Sequence, residues 1–165
     1  MSRVLVASRN RKKLAELRRV LDHAGLSELT LLSLDDVPPF DEAPETGATF
    51  EENAVAKARD AFTATGIPAV ADDSGLEVDA LNGMPGVLSA RWSGRHGDDA
   101  ANTALLLGQL ADVPDGRRGA AFVSIVLTLA IVRNTPDGSA ATSETMSVRE
   151  TLHSVKTVWL RPGTR

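Results

Sequence analysis

Apolar residues follow two rhythms along this chain. Short unbroken runs, VLVAS at 4–8 and LTLLSL at 29–34, have the pattern of strands covered on both faces. Between them RKKLAELRRVLDHAG repeats Leu14, Leu17 and Leu21 at helical spacing and meets Gly25 as a stop. A loop rich in proline and acid, DDVPPFDEAPETG, follows. Thr49 and Glu52 then form the T-x-x-E capping box of a second helix, with Val55, Ala58 and Phe62 as its apolar stripe up to Gly66. PAVAD and LEVDAL predict two strands on either side of the motif ADDSG, and NGMPGVLSARWSGRHGDD predicts a glycine-rich loop. ANTALLLGQLADV predicts a helix, and AAFVSIVLTLAIV one long apolar strand. Alternating strands and helices without an internal repeat predict an α/β domain.

Composition narrows the chemistry. With 165 residues, 42% of them hydrophobic, the chain suits one packed core, so a single domain over 1–165 is expected. A formal net charge of -4 and a pI near 5.4 provide no global basic field, which argues against a nucleic-acid partner and for a small phosphorylated molecule met by local lysines and arginines. There is no cysteine, hence no thiolate metal site, and His23, His96 and His153 lack metal-ligand spacing. The first ten residues hold too short an apolar run for a signal peptide, and the longest apolar run falls short of a membrane span, so a soluble protein of a reducing cytoplasm is expected.

ADDSG, residues 71–75, sets two carboxylates side by side. Neighbours in a regular strand point to opposite faces, so Asp72 and Asp73 share one site only if the backbone departs from regularity, which Gly75 permits. Two anions about 4 Å apart repel by roughly 4 kcal/mol at an effective dielectric of about 20, so a pair facing one cleft calls for a cation or a shared proton. The plainer alternative is a solvated acidic turn. Two further segments carry the same ambiguity. SRNRKK, residues 8–13, lies between the first strand and the first helix, where backbone N–H groups, the helix dipole and Lys12 and Lys13 favour an anion; it lacks the P-loop pattern, and an exposed polar helix start reads equally well. Asn53 and Lys57 stand one turn apart, on a helix face that either meets a ligand or is simply solvated.

Taken in order, SRNRKK (8–13), ETGATFEENAVAKA (45–58), ADDSGLEV (71–78) and GMPGVLSARWSG (83–94) resemble the inosine triphosphate pyrophosphatase family, the noncanonical purine nucleoside triphosphatases. The motifs cover roughly residues 4–122. The resemblance implies a central mixed sheet flanked by helices with a nucleotide cleft, a cytoplasmic homodimer, and Mg2+-dependent hydrolysis of ITP, dITP or XTP to the monophosphate and pyrophosphate. Position by position it implies Asp73 as general base and metal-site carboxylate and Glu45 as the second metal carboxylate. Ser8, Arg9, Asn10, Arg11, Lys12, Lys13, Lys57, Ser74 and Arg91 match segments that hold the triphosphate and sugar. A hard Mg2+ ion with oxygen ligands would also relieve the crowding of carboxylates in ADDSG.

Residues 123–165 diverge from that pattern. The family continues to F-G-[YW]-D-P and later to S-H-R, which frame the purine; neither stands here, and His153 sits in TLHSV with no arginine beside it. The C-terminal part therefore reads as truncated or substituted. Three functions stay open: an active pyrophosphatase, a catalytically impaired nucleotide-binding remnant, and a dimerisation partner. No membrane or nucleic-acid partner is expected under any of them.

Overall fold

The structure is a computed structural model that describes residues 3–126, apart from 27 and 43, together with the backbone of three later strands. The elements run β1 (Arg3–Ala7), α1 (Arg11–His23), β2 (Thr30–Leu32), α2 (Phe50–Thr65), β3 (Ala69–Val78), α3 (Asp99–Gln109), β4 (Gly119–Val126), β5 (Leu129–Val132), β6 (Ser143–Met146) and β7 (Lys156–Trp159). They distribute between two compact units, and β3 passes from the first into the second between Asp72 and Asp73.

In the first unit β1 pairs in parallel with β2 (Val4 opposite Leu31) and with β3 (Val6 opposite Val70). β5 joins β3 antiparallel at Ala69 and Ala130, and β6 joins β5, so the sheet is mixed, as expected. The period of two along β1 divides its apolar run between faces. Val4 and Val6 pack with Leu31, Val70 and the α1 leucines Leu14, Leu17 and Leu21, while Leu5 packs with Ala61, Ala69, Phe62 and Phe40. Helix α2 starts where the T-x-x-E pattern placed it, but its innermost row is Ala54, Ala58 and Ala61, not Val55, Ala58 and Phe62. Small side chains let the helix axis lie close to the sheet, and the larger ones fill the flanks.

In the second unit Leu106 and Leu110 of α3 pack on Val78 and Ala120, with Leu76, Leu81 and Trp92 around them. β7 pairs antiparallel with β4, from Gly119 opposite Trp159 to Phe122 opposite Lys156.

Four strand expectations need correction. LTLLSL yields a strand only over Thr30–Leu32, because the Ser33 backbone N–H and hydroxyl both donate to Asp36 Oδ2, at 2.8 and 2.7 Å, and wind residues 34–36 into a 3-10 turn. PAVAD and LEVDAL are not two strands but one, β3, unbroken through ADDSG. The end of LEVDAL leaves the sheet as a 3-10 turn, Asp79–Leu81, closed by the left-handed Asn82. AAFVSIVLTLAIV is two strands, β4, which pairs with β3 and β7, and β5, which pairs with β3 and β6.

Candidate active site

The first unit gathers most of the charged groups singled out from the sequence. β1 delivers the chain to Ser8, and Asn10 caps α1: its Oδ1 accepts from Lys12 N–H at 3.1 Å, and its own N–H donates to Ser8 Oγ at 3.4 Å. The S-x-N spacing is thus what starts the helix. Lys13, in the first turn of that helix, makes an ion pair with Asp72 Oδ2 on β3. From α2, Lys57 Nζ lies 2.6 Å from Glu45 Oε1 and donates to the Asp72 carbonyl at 3.3 Å. Four residues earlier on α2, Asn53 Oδ1 accepts the Gly47 N–H at 2.8 Å. Glu45, Lys57, Lys13 and Asp72 therefore form one cluster of alternating charge. The SRNRKK segment does not act as one block. Arg9 turns to Glu42, donating from Nε at 3.1 Å and Nη2 at 2.7 Å, which raises the guanidinium pKa through that hydrogen bond and the Glu42 charge, with a smaller contribution from Asp35. Lys12 is exposed, and Arg11 opens α1 with a side chain that lies outside the described residues.

A cleft of about 410 Å³ opens beside this loop, with Ser8, Arg9, Asp35 and Glu42 on its polar side and Leu34, Pro39 and Phe40 on its apolar side. Glu42 and Phe40 had no signal in the sequence beyond lying in a loop; only folding brings them to Ser8 and Arg9.

In the second unit Asp73 is buried, at 7% exposure, and Ser74 follows it on β3. Because β3 is regular here, Asp72 and Asp73 leave the strand on opposite faces, so the backbone break that a shared face would require does not occur. Gly75 serves space rather than conformational freedom. A Cβ there would overlap the Gly86 carbonyl and come within 2.6 Å of Ser89 Oγ and 2.9 Å of Phe50 Cε1. Ser89 fastens the 3-10 turn Gly86–Arg91 to the strand, accepting from Leu76 N–H at 2.8 Å and donating to the Gly86 carbonyl at 2.6 Å. Arg91 ends that turn, half-buried. Asn102 of α3 steadies the same stretch, accepting from Ser93 N–H at 2.7 Å and donating to the Ala90 carbonyl at 3.1 Å. Ser89 and Asn102 were not anticipated; each acts by binding backbone, which a residue pattern does not reveal.

Known proteins resemble this arrangement in both sequence and structure. The chain is 83% identical over 124 residues to the dITP/XTP pyrophosphatase of Mycolicibacterium paratuberculosis, covering 75% of this chain and 61% of that one. It is 79% identical over 124 residues to the protein of the same name from Nocardia farcinica, covering 75% and 60%. The chain thus spans about three-fifths of the length of these curated relatives. Among solved structures, the Mycobacterium abscessus nucleoside-triphosphatase / dITP/XTP pyrophosphatase superposes with a TM-score of 0.68 at 63% identity, covering 87% of this chain and 70% of that one. The Staphylococcus aureus Ham1 protein superposes with a TM-score of 0.66 at 35% identity, covering 88% and 67%. Both likenesses carry the mixed α/β fold expected from the motifs. The sequence profile described as the Ham1 family runs through residues 4–148, past the last motif at 94, and with that span matched the chain belongs to the Ham1 family.

Proposed function

We propose that this chain hydrolyses noncanonical purine nucleoside triphosphates (dITP, XTP and ITP) to the monophosphate and pyrophosphate, as a Mg2+-dependent enzyme. The observation that carries the reading is the charge cluster of the first unit, in which Lys13, in the first turn of α1, is held on Asp72 and Lys57 of α2 is held on Glu45. Hydrolysis of a polyphosphate needs cations where negative charge develops and a carboxylate to take a proton from water. The substrate class follows the relatives, which are named dITP/XTP pyrophosphatase.

The donors present suit magnesium. They are carboxylate oxygens in a chain without cysteine, and Mg2+ takes one or two carboxylates, keeps several waters and completes its shell with substrate phosphates. Glu45 and Asp73 would hold it, and when bound it supplies Lewis-acid neutralisation of phosphate charge. The remaining work belongs to the protein. Lys13 and Lys57 exchange carboxylate partners for phosphate oxygens. Ser8, Asn10, Lys12 and the positive end of α1 hold the rest of the triphosphate, while Arg9 reaches it only by leaving Glu42. Ser74 and Arg91 bind substrate, and the Asp73 carboxylate accepts the proton of the attacking water. Under this reading the enzyme is a cytoplasmic homodimer.

A second reading, nucleotide binding with impaired turnover, is favoured by the absence of F-G-[YW]-D-P and S-H-R from residues 123–165. One assay separates them: Mg2+-dependent pyrophosphate release from dITP, XTP, ITP and ATP, beside equilibrium binding of a non-hydrolysable ITP analogue. Release from dITP and XTP supports the first reading. Binding without release supports the second, and neither binding nor release defeats both.

A further inference from the structure

Asn53 is the most buried polar residue among the described residues, at 1% exposure, although it stands on the helix that carries the exposed Glu51 and Glu52. Its Oδ1 accepts the N–H of Gly47 at 2.8 Å. The fit there is close on every side. A Cβ on Gly47 would lie 2.6 Å from Asn53 Oδ1, 2.8 Å from Glu52 Cβ and 3.0 Å from the Asn53 nitrogen, so only glycine brings the backbone down onto the helix. Gly47 is two residues beyond Glu45, in a stretch that belongs to no helix or strand. One turn further along α2, Lys57 holds the Glu45 carboxylate itself. The helix therefore holds this stretch both at its backbone and at its functional side chain.

The two grips are not equivalent. Lys57 ends a flexible four-carbon stem, and in the proposed reaction it turns to a phosphate oxygen. Once it does, the Asn53 contact still ties the backbone that carries Glu45 to α2. We infer that Asn53, seated on Gly47, is a positioning residue that presents the Glu45 carboxylate to the metal; the inference rests on the reading of Glu45 as a metal ligand. Groups that orient a ligand from behind commonly change metal affinity when removed, because the ligand must then be ordered at the moment of binding.

The test is a titration with Mn2+ alone, as a spin-visible substitute for Mg2+, reading unbound Mn2+ by electron paramagnetic resonance in the absence of nucleotide. The proteins are the parent, Asn53→Ala, Gly47→Ala, the double variant and Glu45→Gln, each checked for folding by circular dichroism and thermal unfolding. Asn53→Ala and Gly47→Ala should each weaken Mn2+ binding about tenfold. The double variant should be no more than about twofold worse than either, because both lesions break one contact. Lowered melting temperatures with parental Mn2+ affinity, while Glu45→Gln still weakens the ion, would reduce Asn53 to a structural residue and overturn the inference alone. Mn2+ affinity indifferent to Glu45→Gln removes the metal-ligand reading and this inference with it. If Asn53→Ala does not fold, Gly47→Ala, which leaves Asn53 in place, decides by the same criteria.

Discussion

In the cluster of the first unit, the lysines proposed to hold phosphate are already occupied by carboxylates. A polyphosphate that approaches without a metal must displace Glu45 from Lys57, so removing the Glu45 charge should strengthen metal-free binding. The contact is 2.6 Å long with each side chain 23% exposed. Exposed ion pairs are worth about 0–1 kcal/mol and hydrogen bonds to charged groups about 1.5–3 kcal/mol, so this partly solvated pair falls near 1.5 kcal/mol, roughly a tenfold change in affinity. Glu45→Gln should therefore bind tripolyphosphate about tenfold more tightly than the parent in EDTA at low salt, read by isothermal titration calorimetry. Deleting any nearby negative charge helps a polyanion, so the decisive comparison is made in a Lys57→Ala background, where the gain should fall to about twofold or less. With Mg2+ present the order should invert if Glu45 holds the ion as proposed, because the variant then lacks that carboxylate. An equal gain with and without Lys57 would show that the lysine is not the group being released, and the reasoning would fail.

Other consequences are open to simpler measurements. Asp73→Asn should abolish pyrophosphate release and leave thermal unfolding close to parental; a variant with near-parental rate would take the base away from Asp73. Gly75→Ala places a methyl group against the Gly86 carbonyl and Ser89, so it should cost about 1–3 kcal/mol, a fall of roughly 3–10 °C in melting temperature by calorimetry, and an unchanged melting temperature would contradict the packing described. The Ser33 hydroxyl and backbone N–H hold the Asp36 carboxyl below the usual carboxylate range. Its contribution to stability is therefore present above the unfolded value and lost as pH falls through the folded one; carboxyl NMR titration should place Asp36 below its value in the unfolded chain, and Ser33→Ala should move it upward. The 165-residue chain lacks F-G-[YW]-D-P and S-H-R, so kcat/KM should differ little between ITP and ATP; a strong ITP preference would mean that other residues read the base.

Local signals were legible wherever neighbouring residues decide the outcome. The leucine spacing of α1, the T-x-x-E start of α2, and the runs that became β1 and β4 depend on periodicity and capping, which act within a turn or two of chain. The motifs were legible for the same reason, since residue types at fixed spacing survive being read without a fold. Single-domain organisation was an expectation from length and hydrophobic content, while the grouping of the chain into two compact units is a property of contacts.

What the tertiary structure decided is which partner each polar group takes. The sequence by itself determined that Asp72 and Asp73 adjoin, and that lysines stand at residues 13 and 57. Folding decided that β3 stays regular through the pair, so that Asp72 faces Lys13 while Asp73 is buried on the other side. Gly75 shows the same division. Its identity suggested backbone freedom, yet its reason for being glycine is the carbonyl of Gly86, eleven residues away in sequence. Arg9 stands in a segment matched to the phosphate site, and the partner folding gives it is Glu42, a residue no local pattern singled out. Hydrogen bonds and ion pairs act over about 3 Å of space whatever the separation along the chain, so the groups they join become known only once β1, β3 and α2 have been packed against one another.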